Sequence, residues 1–475
     1  LRTALFAYLF AKKRGGKFLI RIEDTDRERF VEGGTENILR SLYWAGILPD
    51  EGVMLDKDKK TIIQKGKKGP YIQSERLGIY KPQVDKLLAD NNAYYCFCAK
   101  ERLDILRKNQ EANKMAPGYD GYCRNLTKDE VKQKLSLKEK CVVRLKMPKE
   151  GAIKFIDLVR GEVEFENSLI DDQVLLKSDG FPTYHLAVVV DDHLMEITHV
   201  IRAEEWLSST PKHITLYKMF GWEIPEFAHL PLLVNEKRQK LSKRHGDVSV
   251  QDFRDKGYLP EALVNFIAFL GWNPGDEREI FSLPELEKEF SFERVGKSAA
   301  VFNYDKLNWY NGQYIKKMNI IDLTHLCFSF LKNEGLAKEA DLEIELAEKV
   351  VLLAKDRLEK LADLPELIGF IFADELEYEP SILIWKKSNI GETKDRLEKL
   401  TEFLDDLAPK NWTKELLKEK IIEWIKKNNF TVGEVLWPMR TALSGQKNSP
   451  GPFEIADVLG KEKTLDRLRS AKTKL

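Results

Sequence analysis

Three cations stand within five residues at Lys240, Lys243 and Arg244, around Leu241 and Ser242. Such a cluster suits a chain of phosphates. Lysine is a compact charge on a flexible stem and can follow phosphate oxygens as they move. Lys243 is the central candidate, Lys240 and Arg244 support it, and the Ser242 hydroxyl can donate to a phosphate oxygen. Read alone, the string is a solvated loop. Its setting argues otherwise: an apolar run, HLPLLV, precedes it, and ligands gather at the carboxyl ends of strands in α/β sheets.

Two further groups carry charge at strand ends. Arg21, Glu23, Asp24, Asp26 and Arg27 crowd into seven residues. Glu23 continues a strand alternation and is expected to point into a site, where a carboxylate can hold an ammonium. Arg202 follows an apolar run, and a guanidinium there suits a substrate carboxylate through its two-pronged fork. Tyr184 adds a hydroxyl. His185, His193 and His199 alternate with apolar residues and form no HxH or HxxxH pair, so the pattern argues against a metal held by them. Cys96 and Cys98, at i and i+2 on a strand-like run, face the same way, and Cys123 supplies a third sulfur. Zinc takes four ligands. Asn125 stands where a histidine would serve, which leaves Tyr119 as the nearest fourth donor. A zinc site and an empty thiol cluster both remain open.

The elements that position these groups follow from periodicity. Residues 5–13 read as the apolar end of a helix stopped at Gly15-Gly16, and 17–22 as a strand with Phe18, Ile20 and Ile22 in period two. Thr35 is placed to cap a helix to about Ala45. Helix, strand, helix is the grammar of a parallel α/β sheet. Residues 57–69 are lysine-rich and read as a solvated loop. From 92 to 180 short strands alternate with turns, including a hairpin signal at Ser178-Asp179-Gly180, which suggests a separate α+β module. Residues 186–190 and 197–201 read as strands, 210–220 as a helix with Pro211 in its first turn, and 227–234 as one buried strand. Beyond 250 the periodicity is helical, clearest at 346–364 and 414–427.

Composition sets the outer bounds. With 43% hydrophobic and 32% charged residues over 475, the chain is globular and long enough for about three domains. No run of 18 apolar residues exists, so no membrane span is expected. Five cysteines, an odd number, do not make a disulfide scaffold and fit a reducing, cytoplasmic setting. Lys+Arg and Asp+Glu both total 77, which excludes a uniformly basic polynucleotide coat but not local basic clusters.

The strings LRTALFAYLFAKKRGGKFLIRIEDTDRER, FPTYHLAVVVDDHLMEITHVIRAEEWLSSTPKH and PLLVNEKRQKLSKRHG resemble the glutamyl-tRNA synthetases, class I aminoacyl-tRNA synthetases of bacterial or organellar type. The segment WPMRTALSGQKNSPGPFEIADVLGKEKTLDRL resembles the end of their helical anticodon-binding region. The resemblance implies a Rossmann-type α/β fold with an inserted acceptor-binding module and an all-α C-terminus. Its expected divisions are 1–70 and 181–300 for the catalytic halves, 71–180 for the insert, and 301–375 and 376–475 for two helical subdomains. It further implies that Glu23 takes the α-ammonium of L-glutamate and that Tyr184 and Arg202 hold its carboxylates. Glu205, Trp206, Leu232 and Leu233 would line the ATP site. Lys240, Ser242, Lys243 and Arg244 would form a loop over the phosphates, with Mg2+ beside them. Some relatives bind zinc in the insert, where Cys96, Cys98 and Cys123 match. The partners implied are tRNA(Glu), glutamate and ATP, for a cytoplasmic, monomeric enzyme with no membrane association. The family's first signature, HIGH, precedes the RTALF helix and has no counterpart from Leu1 onward. An incomplete copy is therefore expected, with an impaired or non-catalytic RNA-binding relative as the alternative reading.

Overall fold

The computed structural model describes residues 1–26, 31–241, 249–333, 335–336, 344–386 and 388–475. The chain divides into two compact units, Leu1–Gln251 with Leu263–Asn303, and Asp252–Ala262 with Tyr304–Leu475.

In the first unit, helix α1 (Arg2–Lys13) turns Leu5, Phe6 and Leu9 inward, one face of a 3.6-residue period. Strand β1 (Leu19–Ile20) pairs in parallel with β2 (Glu51–Leu55) across helix α2 (Gly34–Trp44). That helix starts behind Gly33, whose φ of 71° a β-carbon would strain, and not at Thr35 as expected. Gly52 lets β1 and β2 meet: a β-carbon there would lie 2.1 Å from the Ile20 carbonyl oxygen. The lysine-rich stretch is not all loop. It supplies β3 (Ile62–Lys65), antiparallel to β2 and facing solvent.

Helix α3 (Leu77–Ala89) leads to β4 (Ala93–Cys96), then α4 (Lys100–Ala112), α5 (Lys128–Ser136) and β5 (Val142–Leu145). The hairpin β6 (Ala152–Asp157) and β7 (Gly161–Glu166) follows, then β8 (Val174–Leu176). Strands β4, β5 and β8 make a small antiparallel sheet. The hairpin instead joins the sheet β7-β6-β10-β9, in which β6, β10 (Glu226–Leu230) and β9 (His199–Ala203) run parallel. Gly180, with φ of 84°, closes the turn expected at 178–180.

Two expected strands change. Residues 186–190 belong to helix α6 (Tyr184–Leu194), where all five are buried. A short apolar run buried on all sides shows no helical stripe and cannot be told from a strand by pattern alone. The run 227–234 is broken at Pro231, which has no N–H to carry a ladder onward. Strand β10 ends at Leu230, and β11 (Leu233–Val234) pairs with β12 (Ala300–Val301). Between β9 and β10, helix α7 (Thr210–Phe220) ends on Gly221 in the left-handed region, as the sequence implied.

The second unit is helical around one buried cluster that runs from Leu259 to Ala471, across residue 375. The stretch 346–364 is two helices, Ile344–Ala354 and Leu364–Phe372, separated where Leu358 is extended and restarted at Pro365. Helix Lys414–Lys427 has its expected limits and is capped by Thr413. Among the described residues no helix is long and apolar enough to cross a membrane.

Candidate active site

Arg202 lies on β9, one strand over from His229 on β10, in register with it and 7% exposed. Its guanidinium meets only neutral groups among the described residues. Nε donates to His229 Nε2 at 3.1 Å and Nη2 to Thr210 Oγ1 at 2.8 Å. Nη1 stands 3.2 Å from His213 Nδ1 and 3.4 Å from the Tyr184 hydroxyl, while the Trp206 carbonyl is 3.5 Å from Nη2. The Tyr184 ring packs against Trp206 at 4.4 Å between centroids. A buried cation without a carboxylate is costly unless an anion arrives. His213 is held neutral, well below its usual range, by burial first and by Arg202 second.

Glu23 does not stand free at a strand end. Arg21 donates to it at 2.8 Å and to Asp192 at 2.8 Å. Asp191, fully buried, accepts from Arg76, Gln73 and Tyr80. Asp191 and Asp192 are therefore anchors between α6, α3 and the end of β1. Burial raises the Tyr184 phenol, with Arg202 opposing and Glu23 adding, so both charges are felt at this hydroxyl. Asp24 accepts from the amide and hydroxyl of Ser74 at 2.8 and 2.6 Å.

Beyond Arg202 the chain turns through Glu204 and Glu205. Glu204 pairs with Arg160 and accepts the Leu232 amide at 3.0 Å, which fixes the strand break beside it. Glu205 pairs with Lys240, the return end of a hairpin whose bridge partner is Val234. Trp206, Leu232 and Leu233 border this corner, Trp206 exposed and both leucines half-buried. Lys240 is thus brought to the expected nucleotide residues. Ser242, Lys243 and Arg244 lie outside the described residues.

Cys96, Cys98 and Cys123 bring their sulfurs within 4.8 Å of one another. The Tyr119 hydroxyl lies 3.4 Å from Cys96 Sγ and 3.5 Å from Cys98 Sγ. Burial pushes the Cys98 thiol up to about 12. Three sulfurs and the phenol oxygen of Tyr119, the fourth donor considered from the sequence, thus lie together. The histidines considered for metal go elsewhere. His193 stacks on Trp222 at 4.0 Å, His199 stands 3.4 Å from Glu226, and His185 contacts His213 at 3.0 Å. In the second unit, Arg357, Tyr378, Gln446 and Lys447 border a cleft of about 570 Å³.

Sequence reasoning missed His213, His229, Thr210 and Asp157 around Arg202. The one signal was His229, a polar residue inside the apolar run FAHLPLLV, which a buried strand carries only with partners.

Residues 1–309 match the family described as tRNA synthetases class I (E and Q), catalytic domain, and 322–472 match an anticodon binding domain. The glutamate–tRNA ligase of Clostridioides difficile (strain 630) is 46% identical over 487 residues, spanning 100% of this chain and 96% of that protein. That of Alkaliphilus metalliredigens is 47% identical over 482 residues, with 100% and 96% covered. A crystal structure of a glutamate tRNA ligase from Elizabethkingia meningosepticum, in complex with its amino acid, superposes with a TM-score of 0.87 at 36% identity, covering 99% of this chain and 95% of that one.

Proposed function

The chain belongs to the glutamate–tRNA ligases, class I aminoacyl-tRNA synthetases, and from that premise we propose how its residues join L-glutamate to tRNA(Glu) with ATP. The observation that carries the reading is Arg202. It is a buried cation surrounded by neutral acceptors, beside an aromatic wall of Tyr184 and Trp206. A substrate carboxylate is the counter-charge it lacks. Tyr184 supports that carboxylate, and Glu23, steadied by Arg21, takes the α-ammonium.

ATP enters as its Mg2+ complex. Glu205, Trp206, Leu232 and Leu233 border the nucleoside, and Lys240, Ser242, Lys243 and Arg244 face the phosphates. The glutamate α-carboxylate attacks the α-phosphorus, pyrophosphate leaves, and glutamyl-adenylate remains. The terminal ribose hydroxyl of tRNA then takes the glutamyl group and AMP departs. In-line phosphoryl transfer needs position and charge neutralisation more than a base. We place the acceptor end of tRNA on the insert, 71–180, and the anticodon at the cleft beside Arg357, in a cytoplasmic monomer.

Zn2+ belongs to the same proposal. The sulfurs of Cys96, Cys98 and Cys123 with the Tyr119 oxygen fit a closed structural site, which would steady the insert and take no part in the reaction. Metal analysis should find one zinc per chain, lost in Cys98→Ser. A metal-free chain with a normally folded insert would refute it.

The deciding experiment is tRNA charging with labelled glutamate and, separately, glutamine. Charging with glutamate alone supports the reading. A chain that preferred glutamine would overturn the role of Arg202.

A further inference from the structure

The contacts around Arg202 fix more than its position. A guanidinium only donates, so each ring nitrogen that touches it must offer a lone pair. His229 Nε2, at 3.1 Å from Arg202 Nε, is therefore bare, and its proton sits on Nδ1. That nitrogen lies 2.6 Å from Asp157 Oδ2. Asp157 is itself buried. It accepts the amides of Val159 and Arg160 at the end of β6, and burial is outweighed there by hydrogen bonds from His229 and these amides, which keep it ionised. His213 Nδ1 is bare toward Arg202, so His213 Nε2–H donates to His185 Nδ1 at 3.0 Å.

We propose that Asp157 and His229 are positioning residues for amino-acid selection: Asp157 locks His229 in the tautomer whose bare Nε2 aligns the Arg202 guanidinium for a substrate carboxylate. The inference rests on the glutamate-site reading above and deepens it. A carboxylate bonded directly to Arg202 would neutralise it and compete with the substrate. An imidazole placed between keeps the alignment and leaves the charge for the ligand. The two longest contacts of Arg202, to the Tyr184 hydroxyl at 3.4 Å and the Trp206 carbonyl at 3.5 Å, fall one on each Nη nitrogen. They are the weakest held of its donors, and together they form the fork that a carboxylate takes bidentately. An amide substrate could accept only one of the two and would turn an N–H against the other.

Asp157→Asn tests this with little change of shape. The amide oxygen can still accept the backbone N–H groups of Val159, Arg160 and His229, all of which reach Oδ1, but its NH2 takes the place of Oδ2 and faces His229 Nδ1. The imidazole must then carry its proton on Nε2, donor against donor at Arg202, with the Thr210 oxygen at 3.1 Å as the one other group that proton can reach among the described residues. Selective 15N-histidine labelling reads the tautomer directly in the full chain without substrate, with His229→Gln assigning the signal among seven histidines. The expected result is Nδ1–H in the native chain and Nε2–H in Asp157→Asn. The glutamate dissociation constant by calorimetry, and its KM in tRNA charging, should rise roughly tenfold or more, by analogy with the outer partners that orient metal-binding histidines. The KM for ATP should stay within about twofold while the preference for glutamate over glutamine shrinks. A Gln amide has no tautomer to set, and its oxygen can accept from Arg202. The double variant Asp157→Asn/His229→Gln should therefore recover most of the lost glutamate affinity, which a merely structural defect would not do.

Native His229 protonated at Nε2 overturns the proposal, as does Asp157→Asn with unchanged glutamate binding or a double variant no better than the single one. Arg202→Ala separates the two readings. If it binds glutamate normally, the glutamate-site assignment fails, whereas normal loss in Arg202→Ala beside an indifferent Asp157→Asn removes only the positioning role.

Discussion

At the scale of single residues, the Arg202 guanidinium, buried with no carboxylate against it among the described residues, is what makes the site recognisable. Arg202 and Lys243 should part company in kinetics. Arg202→Ala should raise the glutamate KM by roughly 100-fold or more with little effect on ATP, because a site built around a charged partner rejects a ligand once that partner is gone. Lys243→Ala should slow ATP–pyrophosphate exchange by about 100-fold, near 3 kcal/mol of lost electrostatic stabilisation. Equal losses for glutamate and ATP in either variant contradict the division of labour. The histidines behind Arg202 add a pH dependence. Burial, then Lys212 and Arg202, pushes His185 down to about 4, and burial with Arg202 holds His213 well below its ordinary 6.5. Unfolded, both take up a proton near 6.5, so between that value and about 4 the unfolded chain binds more protons than the folded one. Stability should be complete above pH 6.5 and fall as pH drops through this window. Denaturant titrations from pH 7.5 to 4.5 measure the slope, and His185→Asn should flatten it. The lysine cluster was legible because its members are adjacent in sequence. The partners of Arg202 were not, because Thr210, His213 and His229 reach it from 8, 11 and 27 residues away, and no local pattern records which of them converge.

At the scale of elements, the acidic pair on α6 joins pieces that the sequence separates widely. Asp191 meets Arg76 at 2.7 Å across 115 residues, and both side chains are buried. Removing one partner strands the other charge, so Asp191→Asn should cost about 3–5 kcal/mol in chemical denaturation, far more than an exposed pair such as Lys81–Asp85. A loss under 1 kcal/mol would mean that water relieves the pair. The same helix shows where reading by pattern stops. Residues 186–190 are apolar throughout, and burial on every side erased the stripe that distinguishes helix from strand. The turn at 178–180, the end of α7 at Gly221 and helix Lys414–Lys427 were readable because turn glycines and amphipathic spacing act locally. Pro231 was equally visible, and its lack of an N–H is the reason one expected strand became two.

At the scale of the whole molecule, two units each enclose a core of their own. Calorimetry should resolve two unfolding transitions. Glutamate alone should raise only the one that belongs to Leu1–Gln251 with Leu263–Asn303, by about 2.7 kcal/mol at a hundredfold excess over its dissociation constant. A single transition that moves as a whole would join the units into one cooperative body. The strand order β7-β6-β10-β9 has a further consequence, one of timing at the ribosome. Asp157 is synthesised 72 residues before the His229 that it contacts. At roughly 5–20 residues per second, β6 waits about 4–14 s for its neighbour to emerge. Throughout that interval its open edge is an invitation to the wrong strand, answered at first by β7, the hairpin partner that arrives within seconds and shields one side of β6 until the other is filled.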